Sequence, residues 1–423
     1  MKAMERKPFS EAVMAHIWRR QLLSSPLPLG STRLEVVYPG RENPDSGPDF
    51  TGAILATEDG EVLRGDVELH LRAGDWKAHG HHQDSAYNDV ILQVVWEGKA
   101  TDAVLNSGQM APTLVLSQHL SLPLDEARRQ VALPSLLEEP CAQAGERLGL
   151  ARLEQLVDKM GDERFWGKVS RFETALALED APQVLYQGLM RALGYAKNKQ
   201  PFEELSRLLP LSVLEGFARG RRREEQVAVL QSLLLGAAGL LVSAPELETV
   251  WQALGCQQIV RRERWRFFRV RPENQPMRRL VAASYLIARY LDTGLLEGLL
   301  ALLKASNVPG GHRELESGLI VSEKGITFLG RGRAGEMVVN VVLPFFAAWA
   351  EASSRGELKR RVLELYRSYP RLGDNEGTRR MAKLLGEEGQ GIVSSARRQQ
   401  GLLHLDGTFC SEHRCARCPL GGC

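Results

Sequence analysis

The sequence predicts an α+β protein: a mixed region of helix and strands, a long helical stretch, and a cysteine-rich tail. Three observations predict it. Up to about residue 97, short apolar runs alternate with turns rich in Gly, Pro, Asp and Asn, as in strands. From Leu148 to about Leu303, long Leu/Ala runs carry few turn signals, as in packed helices. Four of the six cysteines fall in the last fourteen residues. With 423 residues and about 150 per domain, two or three domains are expected, read as 1–135, 136–303 and 304–423.

Taken in order, Ser10 is placed to cap an amphipathic helix running to Leu23. Strands follow at Leu34–Tyr38, Phe50–Thr57, Glu61–Leu71 and Val90–Trp96. Asp59-Gly60 reads as a two-residue hairpin turn. That turn sets Asp49 opposite His70, Thr51 opposite Glu68 and Ala53 opposite Asp66. Opposed residues share a face of the sheet, so Asp49, Asp66, Glu68 and His70 are expected on one side. Phe50, Ile54, Ala56, Leu63, Val67 and Leu69 form the expected core face. Gln226–Pro245 lacks charge for twenty residues, but its two Gln, two Ser and terminal Pro read as a buried helix, not a membrane span. After Lys304 come a Pro-Gly-Gly turn, a hairpin at Gly318–Leu329, and helices near Val338–Ser353 and Glu357–Tyr369.

Composition narrows the function classes. Hydrophobic content of 43% and charged content of 25% are those of a soluble globular protein. A net charge of +2 implies no polyanion partner by itself, so any basic surface must be local. Met1–Lys7 is charged and Pro8–Leu23 is amphipathic, which does not make a secretory leader. A cytoplasmic protein without membrane association is expected.

The tail runs Cys410-x4-Cys415-x2-Cys418-x4-Cys423. A Cys-x-x-Cys step puts two thiolates on one tight turn, and the outer cysteines complete a four-sulfur shell for zinc or an iron–sulfur cluster. Arg414 and Arg417 favour the thiolate form. The run Gly401–Cys410, with Cys415-x-x-Cys418-Pro-Leu and Cys423, resembles the cluster loop of the adenine glycosylase and endonuclease III family of DNA repair enzymes. The resemblance implies a four-iron, four-sulfur cluster, with zinc as the alternative. It covers only the last 23 residues, its outer spacings are shorter than in that family, and no convincing helix-hairpin-helix accompanies it.

The acidic hairpin is similar to the core of the PD-(D/E)XK nuclease superfamily. There a strand-opening acidic residue and an acidic pair on the next strand hold a divalent ion against a phosphodiester. The resemblance implies Asp49 and Glu68 as ligands of magnesium or manganese, Asp66 as an additional one, and His70 positioning the attacking water. The motif has lysine where this chain has His70, and imidazole prefers a softer ion than magnesium. The competing reading is a solvated hairpin face, polar because it is outside.

Next to it lies a histidine loop: His70, His79, His81 and His82 are four of nine histidines within thirteen residues. His79, His81 and Asp84, with Tyr87 beyond them, have the spacing of a metal or catalytic loop, the alternative being an exposed loop with no role. Asn43, Ser46-Gly-Pro-Asp49-Phe50, Gly65-Asp66-Val-Glu68-Leu-His70, Asp75-Trp76, His79-x-His81, Asp84, Tyr87 and Val90-Ile-Leu together resemble an uncharacterised bacterial family, domain-of-unknown-function family 2851. That resemblance carries no activity with it.

Finally, Arg261, Arg262, Arg264, Arg266, Arg269 and Arg271 interleave with Trp265, Phe267 and Phe268. Arginine pairs with phosphate and aromatic rings stack on bases, so nucleic acid is the expected partner. An amphipathic element with core aromatics and solvated arginines is the alternative. The combined expectation is a metal-dependent nuclease or DNA-processing protein. A non-enzymatic nucleic-acid-binding or scaffold protein is the first rival, and a small-molecule hydrolase built on the histidine loop the second.

Overall fold

A computed structural model describes residues 10–421 apart from 31, 44–45, 132–140, 142–143, 242–243, 256–259, 269, 307–309, 387–390 and 412–413. The chain divides into two compact units, Met1–Glu138 and Glu139–Cys423.

In the first unit, helix α1 (Glu11–Arg20) begins after an extended Ser10, whose side chain makes no cap bond. Met14, Ile17 and Trp18 recur at helical spacing and are fully buried, seating α1 on the sheet. The strands are β1 (Leu27–Leu29), β2 (Thr32–Tyr38), β3 (Arg41–Glu42), β4 (Phe50–Thr57), β5 (Val62–Arg72), β6 (Val90–Glu97), β7 (Ala103–Val104), β8 (Met110–Ala111) and β9 (Thr113–Val115). The main sheet runs β1-β2-β4-β5-β6-β9, with β3 paired to β4 and β7–β8 a separate pair. From β1 to β5 the pairing is antiparallel, while β5–β6 and β6–β9 are parallel.

A parallel pair needs a crossover connection. Here the crossover from β5 to β6 contains α2 (Asp75–Ala78) and two single turns, His81–Gln83 and Ser85–Tyr87. It lies over the face of β5 opposite α1. Consequently Val67 and Leu69 pack with α1, while Glu68 and His70 are buried on the other side.

The β4–β5 register departs from the sequence expectation by one residue. The turn is not two residues long: Thr57 N donates to Glu61 O, so Glu58, Asp59 and Gly60 form a three-residue loop with Gly60 at φ 84°. Ala53 therefore faces Gly65 and Leu55 faces Leu63. Ala53 and Leu55 take the core positions expected of Ile54 and Ala56. A bulge then shifts the ladder again, bringing Phe50 opposite Val67. Gly52, at φ 68°, makes this bulge, and its N–H goes to Asp66 Oδ1 instead of across the ladder.

In the second unit, helix Leu150–Leu176 packs along helix Ala396–Leu405. A Cβ at Gly161 would meet Arg397 O at 2.3 Å, and one at Gly401 would meet Val157 O at 2.1 Å, so both glycines are needed for this close approach. Arg398 completes the contact with Glu154 at 2.6 Å and Asp158 at 3.2 Å. Regions on both sides of residue 303 share one hydrophobic cluster, from Phe165 to Ala396. The uncharged stretch begins within helix Arg223–Ala237, whose Leu230, Leu233 and Leu234 are buried. Helix Arg331–Ala352 is long and apolar enough by length and composition to cross a membrane, and 78% of its apolar window is buried in the protein. At Val338–Val342 it widens to a π turn. Leu343 N–H closes this turn on Val338 O, and Pro344, which follows, has no N–H to offer the Asn340 carbonyl.

Candidate metal centre

Strand β5 brings Glu68 and His70 to one buried face, with 5% and 1% of their surface exposed. Asp49, just before β4, joins them: its N–H donates to Glu68 Oε2 at 2.9 Å, and its Oδ2 accepts Leu69 N–H at 3.0 Å. The crossover adds two imidazoles. His81 Nε2 lies 3.2 Å from Glu68 Oε1, and His70 Nε2 lies 3.7 Å from the same oxygen. One ring nitrogen from each of His70, His79 and His81 falls within 4.8 Å of the others.

The aromatic residues of the crossover hold this group in place. Trp76 is buried, donates its indole N–H to Val104 O at 2.9 Å, and meets His70 and His81 edge to face. The Tyr87 ring lies 3.9 Å from that of His81. On the sheet side, Gln93 of β6 is fully buried, with its amide 3.3 Å from His70 Nδ1 and 3.0 Å from Thr113 Oγ1.

Burial and neighbouring groups shift the titrations in opposite senses. Burial, then the Glu68 carboxylate, pushes Asp49 up to about 7. Burial, then His81 and His79, lowers His70 to about 4, so the ring is neutral at physiological pH. Burial, then Glu68, also raises the Tyr87 phenol. Three buried ring nitrogens of this region, His70 Nε2, His81 Nε2 and His82 Nδ1, have no hydrogen-bond partner, and the first two face Glu68.

Of the residues singled out from sequence, the fold thus unites Asp49, Glu68, His70, His79, His81 and Tyr87. Asp66 is engaged elsewhere, at the Gly52 bulge. Asp84 is exposed and caps the turn at Ala86 N, 2.9 Å away, so the carboxylate beside the histidines is Glu68. Sequence reasoning gave Trp76 only as part of the family pattern, without a role, and missed Gln93. A glutamine inside the apolar run Val90–Trp96 was the available signal, because a buried polar side chain needs a partner.

The basic segment and the tail sit in the second unit. Trp265 is a core residue, bonded to Ala238 O at 2.8 Å and packed on Phe202. Arg261, Arg262, Arg264, Arg266 and Arg271 are exposed, and Arg269 is outside the described residues. Arg264 pairs with Glu204 at 3.2 Å. In the tail, Cys415–Arg417 forms one tight turn, with Cys418 N donating to Cys415 O at 3.1 Å. Burial raises the Cys418 thiol, opposed by the N–H groups of Leu420 and Gly421 directed at its sulfur. Among the described residues, Cys410, Cys415 and Cys418 do not gather as the three histidines do, and Cys423 lies outside them.

Fold and site define an α+β protein whose mixed sheet carries a buried group of histidines and carboxylates. The chain belongs to the family described as a protein of unknown function, DUF2851, whose model matches residues 11–375. No curated protein and no solved structure matches it.

Proposed function

We propose that the first unit is a divalent-metal-dependent hydrolase of phosphodiesters, with the ion held by His70, His79, His81 and Glu68. The observation that carries this reading is the convergence of three imidazole nitrogens within 4.8 Å beside the buried Glu68 carboxylate, two of them buried Nε2 atoms without a hydrogen bond. Burying polar nitrogens without partners is costly, and an ion at their convergence removes that cost. Three imidazoles and one carboxylate suit zinc or manganese better than magnesium. When bound, such an ion supplies Lewis acidity toward phosphate and an activated water.

The residues around it have definable tasks. Turning the Gln93 amide over lets His70 Nδ1–H donate to its carbonyl, while its NH2 donates to Thr113 Oγ1 and the Thr113 hydroxyl donates to Thr101 O, 2.8 Å away. That arrangement leaves His70 Nε2 with a bare lone pair and gives up only the 3.5 Å contact of Gln93 with Ala73 O. Asp49 keeps Oδ1 for proton exchange while Leu69 N–H holds Oδ2. Burial raises that carboxyl in the metal-free chain, and in the proposed reaction it would serve as the general base.

Phosphodiesters are favoured by the chain order: a helix, then β2, the β4–β5 hairpin with Asp49 and Glu68, and the later β6. This is the order that the PD-(D/E)XK resemblance implies. Burial of Glu68 and His70 speaks against a solvated hairpin face, and so against the scaffold reading. The tail is proposed as a separate structural centre, an iron–sulfur cluster or zinc.

The test is hydrolysis of DNA and RNA by the full chain with manganese, zinc or magnesium. Manganese- or zinc-dependent cleavage should disappear in Asp49→Asn and Glu68→Gln while both variants still melt cooperatively as folded protein. Cleavage that survives both substitutions would contradict the assignment.

A further inference from the structure

The second unit contains a cavity of about 910 Å³ between helices Leu150–Leu176, Ala181–Leu193 and Arg331–Ala352, open to solvent on one side. Seven lysine or arginine side chains line it against three glutamates. Lys168 is the most deeply placed, with 6% of its surface exposed. Its ammonium donates to Asn340 Oδ1 at 2.6 Å and Gln400 Oε1 at 2.5 Å, both neutral amides, and makes no ion pair among the described residues. Asn340 reaches it from the π turn at Val338–Val342.

The remaining charges are unevenly compensated. Glu203 pairs with Arg191 and Arg207, and Glu336 pairs with Arg333. Arg164 has only the Gln400 carbonyl, at 3.0 Å, and Arg171 and Lys199 have no hydrogen bond or ion pair among the described residues. The cations oppose one another. Burial lowers Lys168 well below the usual lysine range, followed by Arg164, Arg171 and Lys199, and burial with neighbouring arginines lowers Lys199 too. Folding has gathered positive charge here, with Lys168 buried, Arg164 half-buried and Arg171 and Lys199 exposed at the opening, and has supplied too few carboxylates to balance it. Such a concentration costs stability, and a bound polyanion offsets that cost.

Two further features narrow the anion. The volume is that of a whole ligand pocket and exceeds what one phosphate fills. Tyr195, on the lining, is held at φ 55°, a conformation costly for an aromatic residue, with the Arg333 guanidinium 4.3 Å over its ring and 38% of its surface exposed. A flat ring beside a phosphate-binding cluster is the pairing that nucleotide recognition uses. Asn198, between the lining residues Ala196 and Lys199, bonds both ways to the Arg266 backbone, at 2.8 and 2.9 Å, which anchors the arginine segment next to this part of the lining.

We propose that this cavity binds the phosphates of a nucleotide, with Lys168, Arg164, Arg171 and Lys199 facing the anion and Tyr195 beside its base. The nucleotide is either free or the phosphorylated end of a strand. Unlike the metal centre, this site requires no assumption about hydrolysis.

The test is equilibrium binding by the full chain of adenosine triphosphate and of a short single-stranded oligonucleotide, with and without a 5′-phosphate. The double variant Arg171→Gln/Lys199→Gln changes two residues that no other group depends on for a partner. At least one phosphorylated probe should bind wild type and lose tenfold or more of its affinity in the variant. Binding of the triphosphate alone identifies a free nucleotide, whereas a tenfold preference for the 5′-phosphorylated over the 5′-hydroxyl strand identifies a strand end. The ligand-free variant should melt above wild type, because two mutually repelling cations are gone. Absence of binding by every phosphorylated probe, or equal binding by a folded variant, would overturn the proposal.

Discussion

The first unit buries imidazoles with carboxylates, whereas the second buries an ammonium among guanidiniums. In the first, His70 is held neutral, Asp49 is pushed up to about 7, and two buried ring nitrogens beside Glu68 lack a hydrogen bond. In the second, basic side chains crowd one another, and amides stand where carboxylates would balance Lys168. Both arrangements are unfavourable as they stand. The kind of imbalance differs, and so does the partner that corrects it: an ion that accepts lone pairs in one case, an anion in the other. Buried polar groups in this protein are most informative where their partners are missing.

The contrast can be broken at single residues. The largest effect is expected at the metal ligands themselves, where His81→Ala or Glu68→Ala should remove the ion altogether. Next comes Gln93→Ala, which leaves all proposed ligands present but frees the His70 ring to rotate. Metal affinity should fall by about 10–100-fold. Unchanged affinity in that variant would mean that Gln93 fills space and does not orient His70.

The smallest effect is on the pH dependence of folding in metal-free protein. His70 drops from 6.5 to about 4, so between those values the unfolded chain takes a proton that the folded one refuses, and its contribution to stability rises with pH. Asp49 rises from 3.8 to about 7, so over that window the folded chain keeps a proton that the unfolded one has lost, and its contribution falls with pH. The two trends oppose. Asp49→Asn deletes only the falling one, so the variant should gain stability relative to wild type from about pH 4 to about pH 7. A gap that stays constant in urea denaturation with chelator present would contradict the assignment of these shifts.

Much of the first unit was legible in the sequence, because strand alternation and turn residues are local signals. Phe50–Thr57 matches β4, and Val67 and Leu69 face the core as alternation requires. The register was misread because Asp59-Gly60 belongs to a three-residue loop, and because Gly52 adds a bulge that only its bond to Asp66 explains. His70, His79 and His81 were each visible, but their meeting depends on a parallel crossover, which pairwise spacing cannot reveal. The cavity was harder still. Arg164, Lys168 and Arg171 form a basic stripe at helical spacing, which reads as a solvated face until the partner helices are known.

The most direct test is metal content and cobalt substitution of the full chain, compared with His81→Ala and, separately, Cys418→Ser. A site of histidines and a carboxylate predicts one equivalent of cobalt with ligand-field absorption and no thiolate charge transfer. That signal should vanish in His81→Ala and persist in Cys418→Ser, while any thiolate signal from the tail behaves the other way round. A chain that binds no cobalt outside the tail, or binds it equally with His81 replaced, would contradict the metal centre and the hydrolase reading built on it.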